Sequence, residues 1–153
     1  MPERDTLRRA RQDKRAGKSP STQAGEFVRE EIHHIREGKH GARSAKQAIA
    51  IGLSKARSAG VKLPAPPSSA KASTKRSAAS ASRRAKQGGR TRSLKRSRAA
   101  TRKLKREPRQ AASHDSLSRQ AKAVARRRPR SARRAAAKKA ARTRKRTQRT
   151  SAS

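Results

Sequence analysis

Seven side chains within one short stretch could do site chemistry. Glu26, Glu30, His33 and Glu37 recur at i, i+4, i+7 and i+11, with Glu31, His34 and His40 nearby. Carboxylates and imidazoles one helical turn apart can bind zinc. The order Glu30-Glu31-Ile32-His33-His34 is not the His-Glu-x-x-His arrangement of a metalloprotease, and no second set of donors is evident to orient a ligand group. The pattern therefore reads as a solvated acidic face, with no metal site and no cofactor. A third reading lets this stripe pair transiently with the basic part of the chain. Cysteine is absent, which excludes disulfides, thiolate metal sites and cysteine nucleophiles. The serines are abundant without being set beside a base, and no glycine-rich phosphate loop follows a strand. The chain is not read as an enzyme.

The other available chemistry is phosphate binding. Lys and Arg number 46 against 9 Asp and Glu, a net charge of +37 on 153 residues. Such a chain repels itself and calls for a polyanion, of which nucleic acid is the commonest in a cell. The charge is uneven: residues 1–64 hold 15 bases and 7 acids, residues 65–153 hold 31 bases and 2 acids. The candidate contact residues are Arg83, Arg84 and Lys86, then Arg102 and Lys103, then Arg126, Arg127, Arg128 and Arg130. They continue with Arg133, Arg134, Lys138, Lys139, Arg142, Arg144, Lys145 and Arg146. Duplex DNA carries one charge per about 1.7 Å, so the whole excess would neutralise on the order of 20 base pairs. Phe27 is the only aromatic residue, and single-strand binders stack bases on aromatic rings. The expected contacts are therefore to backbone phosphate, without sequence reading. Arg128-Pro129-Arg130 is similar to the core of an AT-hook, but Arg127 stands where that motif has Gly, and chance within an Arg-rich tail is the default.

The elements that must position these groups are few. Hydrophobic residues make up 29% of the chain, and most are Ala. So little apolar surface does not offset the entropy of ordering 153 residues. The expected fold class is mostly disordered with a small all-α helical hairpin. Residues 1–20 read as a basic N-terminal arm with a short, solvated helix, Asp5 its cap and Gly17 its end. Residues 21–64 read as the hairpin. Its first helix starts at Ser21 or Thr22 and runs to about Glu37, with Phe27, Val28, Ile32 and Ile35 on one face. Gly38 to Gly41 break the chain. Ser44 and Gln47 then fit a capping box, Ala45, Ile49, Gly52, Leu53 and Ala56 form a stripe, and Gly60 fits a left-handed end. Gly52 on that stripe suggests close helix approach. So small a hairpin is expected to gain stability from a partner: a second copy meeting it through residues 25–60, another protein, or DNA.

Pro64-Ala65-Pro66-Pro67 reads as a stiff spacer. Residues 65–153 read as a low-complexity Ala, Ser, Lys and Arg tail, interrupted at Gly88-Gly89. It has latent helices over 116–128 and 132–149, capped by Ser116 and Ser131. Like charges at i, i+4 oppose these in water, so the tail is expected to be disordered when free and helical on binding.

The block Gly25-Glu26-Phe27-Val28-Arg29-Glu30-Glu31-Ile32-His33-His34-Ile35-Arg36-Glu37-Gly38, continued by Lys46-Gln47-Ala48-Ile49-Ala50-Ile51-Gly52-Leu53-Ser54, resembles a family of small basic bacterial proteins. The Lys-Gln-Ala-Ile-Ala-Ile-Gly-Leu-Ser stretch is its hallmark. The resemblance spans residues 25–64 and implies a bacterial origin and a domain of unknown function. The tail is similar in composition to bacterial histone H1-like proteins, which supports nucleoid association by analogy.

The expected function is sequence-independent binding of nucleic acid, duplex DNA first, in the nucleoid of the cytoplasm. Association with RNA or the ribosome is the first alternative. A protein-binding hairpin with a non-specific basic tail is the second. No apolar run approaches the roughly 18 residues that span a bilayer, and Met1 to Asp5 lack the apolar stretch of a secretion signal, so no membrane partner is expected.

Overall fold

The computed structural model describes residues 2–87 and 93–151, with side chains through Arg144. Among the described residues the chain forms seven α-helices. They are α1 (Arg4–Arg15), α2 (Pro20–Arg36), α3 (Ala45–Ser58), α4 (Ala72–Lys86), α5 (Leu94–Lys105), α6 (His114–Arg127) and α7 (Arg130–Ser151). A 3-10 turn, Gln110–Ala112, precedes α6. Among the described residues there is no strand and no helix long and apolar enough to cross a membrane. The chain falls into two compact units, residues 1–116 and 117–153.

The expectation of a mostly disordered protein is overturned by these helices. Its error was to discount alanine as core material. Alanine is the strongest helix former, and its small side chain lets two helix axes approach closely enough to bury surface without large residues. In the first unit Ala10, Ala24, Phe27 and Ala56 form one buried cluster, with Leu7, Leu53, Val61 and Leu63 packed around it. Ile35, Ala42, Ala48, Ala111 and Ala112 form a second, with Ile32 against it.

The hairpin of α2 and α3 is the centre of this unit. Ser19, not Ser21 or Thr22, caps α2: its hydroxyl accepts from the Thr22 amide at 3.3 Å, with Pro20 at the first helical position. Ser44 caps α3 as expected, accepting from the Gln47 amide at 3.2 Å, while the Gln47 side chain accepts from the Arg43 amide at 3.0 Å. Gly60 ends α3 at φ +90°, and the Val61 amide bonds back to the Ala56 carbonyl at 3.0 Å. That pairing satisfies the last carbonyls of the helix. Gly52 is where the two helices touch: a Cβ there would stand 2.7 Å from the Val28 Cα.

Three further pieces cover the hairpin. Helix α1 packs on α2, burying Thr6 and Ala10; the solvated helix expected here is instead docked. Helix α4 packs on α3 through Ala78 and Ala81. The segment after α5 closes the turn between α2 and α3. The Gly41 amide donates to the Leu104 carbonyl at 2.9 Å, the Ala42 amide to Pro108 at 3.0 Å, and Arg36 Nε to Ala112 at 2.9 Å. A Cβ on Gly41 would run into the Glu107 carbonyl.

The second unit holds most of α6 and all of α7. Ser113, rather than Ser116, caps α6 through the Ser116 amide at 3.2 Å. Pro129 separates the two helices, and its carbonyl accepts from the Arg133 amide at 3.1 Å. Both helices are formed, against the disorder expected of this tail. Their alanines supply the propensity, and Arg126 and Arg127 sit in the last turn of α6, where cations meet the negative end of the helix dipole. The interruption expected at Gly88-Gly89 lies outside the described residues.

Candidate functional site

The predicted phosphate-binding residues sit on helices, with Arg128 alone in a link between two of them. In the first unit Arg83, Arg84 and Lys86 occupy the last turn of α4, and Arg102 and Lys103 the last turn of α5. Arg83, Lys86, Arg102 and Lys103 are exposed. Arg84 is half-buried, and its guanidinium donates to Ser58 Oγ at 3.4 Å, tying α4 to α3.

The second unit carries the densest charge. Residues 117–153 hold 15 bases and no acid. Every described side chain from Ala121 through Arg144 is exposed. Arg126 and Arg127 end α6, and Arg128 lies in the link to α7. Arg130 opens α7, so Arg128-Pro129-Arg130 is a helix boundary rather than a free arm.

On α7 the helical period sorts the bases. Arg130, Arg133 and Arg134, at i, i+3 and i+4, share one open face with Ala137. Arg144 falls on the same face, Lys138 flanks it, and Lys139 and Arg142 turn away from it. Ala132, Ala136, Ala140 and Thr143 recur at i, i+4, i+8 and i+11 and form an uncharged stripe on the remaining side. The Thr143 hydroxyl donates to the Lys139 carbonyl at 3.0 Å. Lys145 and Arg146 lie on the backbone of α7, and their side chains are outside the described residues. At 1.5 Å per residue the 22 residues of α7 make a rod of about 33 Å.

The acidic residues of the first unit have a different setting from the solvated face expected. Glu30 and Glu31 are 4% and 0% exposed. Arg9 Nε contacts Glu26 at 2.7 Å, and Lys18 contacts Asp13 at 2.7 Å. Lys39 bridges Glu3 at 3.3 Å and Glu37 at 3.0 Å. The His34 and Lys39 side chains, both bonded to Glu3, hold its carboxyl below the usual value. Lys39, with a smaller part from His33, does the same for Glu37. In return Glu37, then Glu3, hold the Lys39 ammonium above its usual value. These acids are paired locally, so they do not need the basic tail.

Within that network Glu31, His34 and His40 place one ligand atom each within 4.8 Å of one another. Glu31 and His34 lie one turn apart on α2, and His40 comes from the turn that follows. The sequence reading placed Glu26, Glu30, His33 and Glu37 on one stripe and set Glu31, His34 and His40 beside it, without marking these three as a cluster. The i, i+3 spacing of Glu31 and His34 was a readable signal; the return of His40 across the Gly38 bend was not.

Residues 11–66 match a family of unknown function, DUF6496. The match takes in the end of α1, the whole hairpin and the Glu31, His34 and His40 cluster. No curated protein and no solved structure matches the chain.

Proposed function

We propose that this protein is a non-enzymatic, sequence-independent binder of nucleic acid that acts on duplex DNA in a bacterial nucleoid. One observation carries the reading: α7 presents Arg130, Arg133, Arg134, Lys138, Lys139, Arg142 and Arg144 to solvent in a unit without a single acid. Seven cations held on one helix meet a phosphate lattice with less entropy loss than the same cations on a coil. Arg83, Lys86, Arg102, Lys103, Arg126, Arg127 and Arg128 would add charge from the other helix ends. Arg83, Lys86, Arg102 and Lys103 lie in the first unit, whose single Phe, Phe27, is 1% exposed and offers no base-stacking platform.

The finer family reading belongs to the same proposal. Lys46 to Ser54 would be the signature of the bacterial family, and the charge of α6 and α7 would act as the tail of histone H1-like proteins does. A second copy meeting residues 25–60 is not required by this reading, because α1, α4 and the 3-10 turn cover the hairpin. The cytoplasmic nucleoid follows from the ligand, not from a targeting signal.

The test is native capture of the full-length chain followed by nuclease. Release by DNase supports the proposal. Release by RNase alone replaces it with the RNA reading, and retention after both points to a protein partner.

A further inference from the structure

We infer that Glu31, His34 and His40 form a binding site for a divalent first-row transition metal of the zinc type, independent of the nucleic-acid surface. Glu31 is completely buried, and neither of its carboxylate oxygens has an aligned hydrogen-bond donor among the described residues. Lys55 Nζ lies 2.7 Å from Oε2, but it is shared with Glu30 Oε1 at 3.3 Å and its hydrogen bond goes to Glu30. Lys55 thus balances Oε2, while Oε1 is sealed from water without a donor, and a buried acceptor left so is costly unless a cation meets it.

The histidines are arranged to supply that satisfaction. His40 Nδ1 lies 3.1 Å from the Gly41 carbonyl, which only accepts, so Nδ1 carries the proton. In the neutral ring Nε2 then turns a lone pair toward Glu31 Oε1 at 3.3 Å. Two lone pairs at that separation repel unless a cation, a proton or a metal ion, lies between them. Zinc binds N and O ligands at about 2.0–2.1 Å in a tetrahedron, which sets neighbouring ligands roughly 3.3–3.4 Å apart. One edge of the tetrahedron is therefore in place. His34 Nε2 lies 2.8 Å from Glu3 Oε1, an acceptor when ionised, which leaves Nδ1 unprotonated in the neutral ring. Both imidazoles thus give one N–H to an oxygen outside the trio, the usual outer bond of a metal-binding histidine.

Charge points the same way. Around the trio four carboxylates, of Glu3, Glu30, Glu31 and Glu37, meet two ammonium groups, of Lys39 and Lys55. Two negative charges remain in a chain of net +37, and a divalent cation balances them. Bound there, it would join α2 to the turn on which residues 104–108 pack, with Lys55 remaining on Oε2 and solvent or Glu30 in the fourth position.

The experiment uses the full-length chain, stripped with chelator and dialysed, with zinc titrated by calorimetry and cobalt by its visible ligand-field bands. The expected result is one saturable equivalent and a tetrahedral cobalt spectrum. His34→Gln and His40→Gln should each weaken binding beyond the about 10- to 100-fold lost with an outer partner, while His33→Gln leaves it unchanged. Helical ellipticity of the metal-free variants checks that they fold. Nitrogen-15 spectra of the wild-type imidazoles locate the site without mutation: His34 and His40 should shift with zinc, His33 and His114 should not. No saturable equivalent, or shifts confined to His33 or His114, would overturn the assignment.

Discussion

Replacing Arg130, Arg133 and Arg134 together by Gln gives the sharpest test of the α7 surface. The three are exposed and share one face, so the change removes charge without opening a core. Each phosphate contact contributes about 0.9 to the slope of log affinity against log salt, and at 0.15 M salt that is roughly 0.7 log units per contact. Three contacts amount to about 2.7 in slope and about 2 log units in affinity, or about 3 kcal/mol. The assay is fluorescence anisotropy of a labelled duplex at several salt concentrations. The effect on stability has the opposite sign. Arg130 repels Arg133 and Arg134 at i, i+3 and i+4, so the triple variant relieves about 0.2–0.5 kcal/mol per pair and its helix content should hold or rise. Weaker binding by a more helical protein is the combined signature of phosphate contact. An unchanged slope refutes the reasoning. So does an equal loss when Arg4, Arg11 and Lys14 of α1 are replaced by Gln, because binding would then follow total charge rather than this face.

Three other outcomes follow from the first unit. Gly52→Ala gains helix propensity of about 1 kcal/mol, but its Cβ meets the backbone of Val28 at 2.7 Å; overpacking of about 1–3 kcal/mol should win, and the thermal midpoint should fall. Lys55→Met leaves Glu30 and Glu31 buried without their cation. It should cost about 3 kcal/mol in a denaturant melt. Lys39 holds the Glu37 carboxyl below its usual 4.5, so that ion pair stabilises fully above pH 4.5 and loses its effect as pH falls through the lowered folded value. The difference in melting temperature between wild type and Lys39→Met should therefore be present at pH 7 and close in acid.

Local signals in this chain were legible and long-range ones were not. The Ser44 cap, the Gly60 end and the close approach at Gly52 each depend on one residue's backbone chemistry, which a sequence displays directly. Docking of α1, α4 and the 3-10 turn depends on Ala10, Ala78, Ala81, Ala111 and Ala112. An alanine facing solvent and an alanine sealed in a helix contact look alike in a composition or a hydropathy pattern. The same blindness hid the polar cluster. Glu30 and Glu31 are adjacent acids on a helix that looked half-solvated, and groups distant in sequence enclose them: the Glu3 amide on Glu30, Lys55 on both, and His40 on Glu31. The basic residues of α7 were legible as a charge but not as a face, because the seven cations acquire relative positions only once the helix exists.

The alanine contacts between these helices have a calorimetric consequence. Methyl groups expose little apolar area when they separate, and the heat capacity of unfolding scales with that area, at about 0.45 cal/mol/K per Å². The first unit, with one ring and a handful of branched aliphatics in its two clusters, should unfold with a heat-capacity increment below the about 12 cal/mol/K per residue of ordinary domains. A small increment flattens the curve of stability against temperature. The protein should then have a shallow, broad optimum, with cold and heat both acting gradually rather than at a sharp threshold.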